Sequence, residues 1–86
     1  MYKVEFTPQA DEDFARLDRV VAQRVADKID WFCQNVNDIA GEPLTGNFKG
    51  KYKIRVGDWR IIYSVERSSQ IITIHAVEHR SKVYKI

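Results

Sequence analysis

Apolar and polar positions change period along this chain, and the changes mark its elements. Residues 2–6 alternate, with Tyr2, Val4 and Phe6 on one side and Lys3 and Glu5 on the other, which predicts a first strand. Thr7-Pro8 follows as an N-cap with proline at the first helical position. Asp11, Glu12 and Asp13 fall in the first turns, where a helix dipole favours anions. Ala10, Phe14 and Leu17 form a narrow apolar stripe, so this helix is short. Asp18 is placed to cap a second, longer helix, in which Val21, Val25, Ile29, Phe32 and Val36 recur at helical period. Arg24, Asp27, Lys28 and Gln34 fall off that stripe and read as solvated, whereas Trp31 and Cys33 border it and are expected to be partly buried. Residues 35–42 end the helix, and 43–50 read as a connecting loop.

After Gly50 the period becomes two. Residues 51–56 predict a strand, Gly57-Asp58 a two-residue type II′ turn, and 59–66 the next strand. Residues 67–69 turn the chain into a third strand over 70–77. The order β-α-α-β-β-β predicts an α+β domain: an N-terminal strand, an αα-hairpin, then a three-stranded antiparallel meander, with the helices on one face of a small sheet. Apolarity assigns the faces. Tyr52, Ile54, Val56, Ile61, Tyr63, Val65, Ile72, Ile74 and Ala76 are expected to face the helices. Lys51, Lys53, Arg55, Arg60, Ile62, Ile71, Thr73, His75 and Val77 take the other side, and Glu78, His79, Arg80, Lys82 and Tyr84 follow in a tail.

Three cations in a row on one face of strand 51–56 repel one another, and a phosphate chain is the ligand that relieves the repulsion. The alternative is a solvated face of a half-buried sheet. The net charge of +2 conceals a split: residues 1–40 carry five Lys/Arg against eight Asp/Glu, and residues 41–86 carry nine against four. The C-terminal half therefore attracts polyanions, whether nucleic acid or an acidic protein.

Length and composition narrow the class. At 86 residues and 44% hydrophobic, the chain is expected to be one globular domain, residues 1–86, with a modest core. No apolar run is long enough to span a bilayer, and residues 1–6 lack the apolar core of a signal peptide. Cys33 stands alone, so no internal disulfide forms, and a cytoplasmic location is expected. No metal site is expected, because His75 and His79 have only Glu78 as a nearby carboxylate. The sequence has no Ser-His-Asp pattern and no glycine-rich phosphate loop, and Cys33 is expected to be structural rather than a nucleophile.

Three stretches together resemble the RelE/ParE superfamily of type II toxins. They are the loop Pro43-Leu44-Thr45-Gly46, the block from Tyr52-Lys53-Ile54-Arg55 through Trp59-Arg60-Ile61-Ile62-Tyr63, and the ending His79-Arg80-Ser81-Lys82-Val83-Tyr84. The resemblance covers almost the whole chain, and the ending is similar to the RelE branch. It implies a microbial-RNase-like fold and a ribosome-dependent endoribonuclease that cuts mRNA in the A site, needs no cofactor, and is silenced by a cognate antitoxin in a hetero-oligomer. The ParE branch instead implies inhibition of DNA gyrase; a non-catalytic RNA-binding module is a third possibility.

Residue by residue, the resemblance places the family's basic strand positions on Lys53 and Arg55, the arginine after the hairpin on Arg60, the late arginine on Arg80 and the C-terminal tyrosine on Tyr84. Arg55 departs from the lysine of the best-known member, and His79 stands in a late loop where some members have no histidine. Metal-free transesterification needs a proton acceptor for the 2′-hydroxyl, cations around the pentavalent phosphorus, and a proton for the 5′-oxygen. Lys53, Arg55 and Arg60 suit the second task, and Lys53 is a candidate base. Arginine is a poor proton carrier, so His79 is the chemically easier acid beside Arg80. Tyr84 would stack on a base or orient the 2′-hydroxyl; alternatively His79 and Tyr84 anchor the tail. Lys49, Lys51, His75 and Lys82 are expected to add RNA contacts.

Overall fold

Five strands form one sheet in the order β1-β5-β4-β3-β2 in the computed structural model. It describes residues 2–36, 42–43 and 50–83, with 42, 43 and 83 described by backbone alone. The strands are β1 (Lys3–Phe6), β2 (Glu42–Pro43), β3 (Tyr52–Val56), β4 (Trp59–Glu66) and β5 (Ile71–His79). The helices are α1 (Pro8–Ala15), α2 (Arg19–Asn35) and a terminal turn α3 (Arg80–Val83). The meander β3-β4-β5 is antiparallel as expected, while β1 runs parallel to β5 at the edge. A parallel neighbour needs a crossover connection, and α1 and α2 provide it. The short strand β2 and the turn α3 lie beyond what periodicity announced.

Local chemistry starts both helices where the sequence places them. Thr7 caps α1 by accepting from the Ala10 N–H at 3.1 Å, with Pro8 in the first turn. Asp18 caps α2 by accepting from the Val21 N–H at 3.0 Å. The stripe of α2 buries Val25, Ile29, Phe32 and Val36 against Ile61, Tyr63, Ile72, Ile74 and Val77 of the sheet. The Tyr63 ring sits at the centre, edge-on to Phe32 at 4.6 Å and stacked with Tyr52 at 5.8 Å. Trp31 is more exposed than its place beside the stripe suggests, at 46%, with the Lys28 ammonium 4.3 Å from its ring centre. Cys33 is half-buried, and burial followed by the Asp30 charge pushes its thiol pKa up.

A β-bulge in β5 alters the expected faces. Ile62 pairs with Ala76, yet Tyr63 pairs with Ile74, so His75 is an extra residue on β5. Beyond it the alternation flips. Val77, rather than Ala76, is the buried residue, at 3% exposed, and Ala76 shares a face with Ile62 and Lys53. Strand β5 also runs on to His79, which is therefore its last residue and not part of a tail.

Helix α1 holds the bulge. Thr7 N–H donates to the Ile74 carbonyl at 3.0 Å, and the Thr7 hydroxyl donates to the His75 carbonyl at 3.1 Å. The Val77 N–H donates to Asp13 Oδ2 at 3.1 Å, and Gln9 steadies the other carboxylate oxygen at 2.8 Å. A charged acceptor thus reaches a backbone donor across 64 residues of sequence.

The β3-β4 turn has its own clasp. Gly57 takes a positive φ of +58°, as the first residue of a type II′ turn requires. Arg60, expected on an open face, is only 4% exposed, and its Nη1 donates to the Gly57 carbonyl at 3.0 Å and the Trp59 carbonyl at 2.9 Å. Carbonyl acceptors of the turn replace water that a buried guanidinium gives up.

Two substitutions test these clasps. Asp13→Ala should lower unfolding free energy by about 1.5–3 kcal/mol, the worth of a hydrogen bond to a charged group, read from the urea midpoint. Arg60→Ala should cost a comparable amount, about 1.5–3 kcal/mol. Arg80→Ala removes only an exposed ion pair and should cost less than about 1 kcal/mol on the same assay.

Candidate nucleic-acid interface

The sheet face away from α1 and α2 is organised in rows set by strand pairing. One row holds Lys53, Ile62 and Ala76, and the next holds Arg55, Arg60 and Glu78. At the hairpin end, Arg80 closes over the turn: its N–H donates to the Asp58 carbonyl at 2.8 Å, and its Nε lies 3.8 Å from Asp58 Oδ1. On the other side of the Lys53 row lie Lys51, Ser64, Thr73 and His75. Successive rows are about 6.8 Å apart, two residues along a strand, so Lys51, Lys53, Arg55 and Arg80 span roughly 20 Å.

These cations differ in access. Arg55 and Arg80 are exposed, Lys51 and Lys53 are half-buried, and Arg60 lies beneath the surface beside Arg55. Arg55 and Arg80 can therefore meet a phosphate directly. Arg60 contributes a fixed positive charge from below and holds the turn that carries its neighbours. Ile62, 7% exposed, gives the face an apolar floor.

The bulge separates the two histidines. His75 is on the open face, with its Nε2 2.8 Å from the Ser64 hydroxyl. Partial burial, then the Lys51 charge, hold its imidazole pKa below the ordinary value of 6.5. His79 is turned to the helix side. Its ring lies edge-on to Trp59 at 5.4 Å and lines a small cavity of about 120 Å³ with Asp13, Arg16, Leu17 and Lys82. Its Nδ1 accepts from the Ser81 N–H at 3.3 Å, so its neutral form carries the proton on Nε2, and the ring caps α3. The expectation that His79 and Arg80 stand together at one side of a reacting phosphate is thus corrected. They are sequence neighbours where β5 ends and α3 begins, but His79 packs on Trp59 whereas Arg80 pairs with Asp58 of the hairpin turn. Lys82 goes with His79, away from the row of cations. Lys49, Tyr84 and residues 44–46 lie outside the described residues.

The structure therefore brings together Lys51, Lys53, Arg55, Arg60, His75 and Arg80 and sets His79 and Lys82 apart. Ser64 is the residue that strand reading passed over. The signal available was its outward phase beside an outward histidine on the next strand. Among the described residues no group of three or more His, Cys, Asp or Glu could hold a metal ion. No helix among them is long and apolar enough to cross a membrane.

Comparison with known proteins agrees with this architecture. Residues 4–84 match the family described as the ParE toxin of the type II toxin-antitoxin system parDE. A RelE-like toxin protein of Escherichia coli is 34% identical over 89 residues, covering 99% of this chain and 92% of that protein. The toxin-antitoxin complex RelBE2 of Mycobacterium tuberculosis contains a chain similar at a TM-score of 0.81 and 25% identity, covering 92% of this chain and 98% of that one. The isolated E. coli RelE toxin shares the fold at a TM-score of 0.77 and 22% identity, covering 99% of this chain and 93% of that one. With a family match from residue 4 to residue 84 and a relative at 34% identity, the chain belongs to the RelE/ParE superfamily of type II toxin-antitoxin toxins.

Proposed function

We propose that this toxin is a ribosome-dependent endoribonuclease that cuts mRNA in the A site, and that a cognate antitoxin holds it inactive in a hetero-oligomer in the cytoplasm. The observation that carries this reading is the file of cations on the open face, with Arg55 and Arg80 exposed at either side of the hairpin. Inhibition by an antitoxin is supported by solved relatives that are toxin-antitoxin complexes, among them RelBE2 and the intact E. coli RelBE complex.

Each residue has a task in a metal-free transesterification. Lys53 and Arg55 would grip the phosphate oxygens, whose charge grows as phosphorus becomes pentavalent. Buried Arg60 adds a fixed charge that needs no reorganisation. Arg80, released from its exposed pair with Asp58, would sit at the leaving-group side. The face is open, so the ribosome would supply the orientation that a cleft supplies elsewhere. Tyr84, carried over from the resemblance, would stack on a base.

A second reading, inhibition of DNA gyrase, is favoured by one observation: the matching family is described by its ParE toxins. In that case the cation file contacts protein, not scissile RNA.

Purified toxin and programmed ribosomes separate the two. The nuclease reading expects ribosome-dependent cleavage that falls at least about 100-fold in Arg80→Ala, the loss typical of a transition-state charge contact. Intact mRNA together with blocked supercoiling by gyrase would establish the second reading. A further expectation concerns salt. Arg55→Ala should flatten the slope of log affinity against log salt by about 0.7 for single-stranded RNA, the loss of one phosphate contact.

A further inference from the structure

We propose, on the footing of the nuclease reading above, that Ser64 and His75 form the proton-accepting pair for the attacking 2′-hydroxyl. The cations of the open face can hold a phosphate, yet arginine does not accept protons at neutral pH. Glu78 pairs in register with Arg60. Glu66 lies at the far end of β4. The Ser64–His75 pair lies one row, about 6.8 Å, from Lys53, within reach of a nucleotide whose phosphate Lys53 holds.

The pair has the marks of a built arrangement. Alternation from Ile74 puts His75 on the open face, and the bulge keeps Ala76 there beside it. The backbone that carries it is fixed on both sides, by Thr7 at the Ile74 and His75 carbonyls and by Asp13 at the Val77 N–H. The Ser64 hydroxyl lies 2.8 Å from Nε2, a hydrogen-bond distance suited to proton transfer. The groups acting on the imidazole are Lys51, just before β3, and Ser64 from β4; on the neighbouring strand β1, Lys3 and Glu5 lie in register with Ile71 and Thr73. Burial and Lys51 depress the imidazole pKa, which leaves a lone pair available at neutral pH.

The step balances without a metal or a redox partner. The 2′-hydroxyl gives its proton to Ser64 Oγ as the Ser64 proton passes to His75 Nε2. The 2′-oxygen bonds to phosphorus while the bond to the 5′-oxygen breaks. The products are a 2′,3′-cyclic phosphate and a 5′-hydroxyl, whose oxygen takes its proton from water. The imidazolium then returns its proton to solvent.

Two measurements test this. In the first, nitrogen-15 NMR of the free toxin reads the tautomer and titration of His75. The pair requires neutral imidazole with the proton on Nδ1 and a midpoint below 6.5; an Nε2–H tautomer overturns the acceptor role whatever the toxin cleaves. In the second, single-turnover cleavage on programmed ribosomes is followed from pH 5.5 to 8.5. The wild-type rate should fall as pH drops through the depressed midpoint. His75→Gln should lose about 10²–10⁴ of the rate together with this acid limb. Ser64→Ala, a milder change that keeps the imidazole, should lose at least about tenfold. Thermal unfolding of each variant serves as the folding control. Wild-type rates and an unchanged pH profile in a folded Ser64→Ala or His75→Gln overturn the pair and leave the nuclease standing. Absence of cleavage by wild type at every pH removes the nuclease reading and the pair with it.

Discussion

One extra residue in β5, held by α1, sets most of what this fold presents. Without the bulge at His75, alternation would place Ala76 in the core and Val77 outside. With it, Val77 fills the core and His79 goes to the helix side, while Arg80 pairs with Asp58 at the hairpin turn. A bulge leaves backbone groups out of the ladder, and those groups need partners. Thr7 and Asp13 supply them from the helix that follows β1. The parallel pairing of β1 with β5 places α1 over the bulge, so fold topology and site geometry rest on one junction.

The second organising device is the burial of a cation. Burying an ionised group is costly unless hydrogen bonds replace its water. Arg60 meets that requirement in part with the Gly57 and Trp59 carbonyls of the turn. Arg80, exposed and paired with Asp58 at 3.8 Å, sits at the other extreme: its contact is weak and easily exchanged for a phosphate. Side by side, a fixed buried cation and a movable exposed one suit the polyanion-binding role proposed for this face.

Much of this was legible in the sequence, and the reason is locality. Thr7-Pro8, Asp18 and Gly57-Asp58 carry their instructions within a few residues, and each acts as its type predicts. The stripe of α2 and the inward phase of β3 and β4 follow from periodicity alone. What stayed hidden depends on distant partners. The bulge is fixed by Asp13 from another element, and strict alternation across 70–77 therefore misplaced Ala76 and Val77. The burial of Arg60 depends on carbonyls that only the folded turn presents, and the separation of His79 from Arg80 depends on how far β5 extends. In the candidate site, the cationic file was readable as a face, whereas its two histidines were assigned without knowing which side each would take.

The most direct test of the open face as the working surface is a cryo-EM structure of the toxin on a ribosome programmed with mRNA whose A-site 2′-hydroxyls are methylated, so that cleavage cannot occur. The account predicts an A-site phosphate seated over Lys53 and Arg55, with Arg80 turned from Asp58 toward the RNA. A toxin bound through α1 and α2, with Lys53 and Arg55 facing solvent, would contradict it.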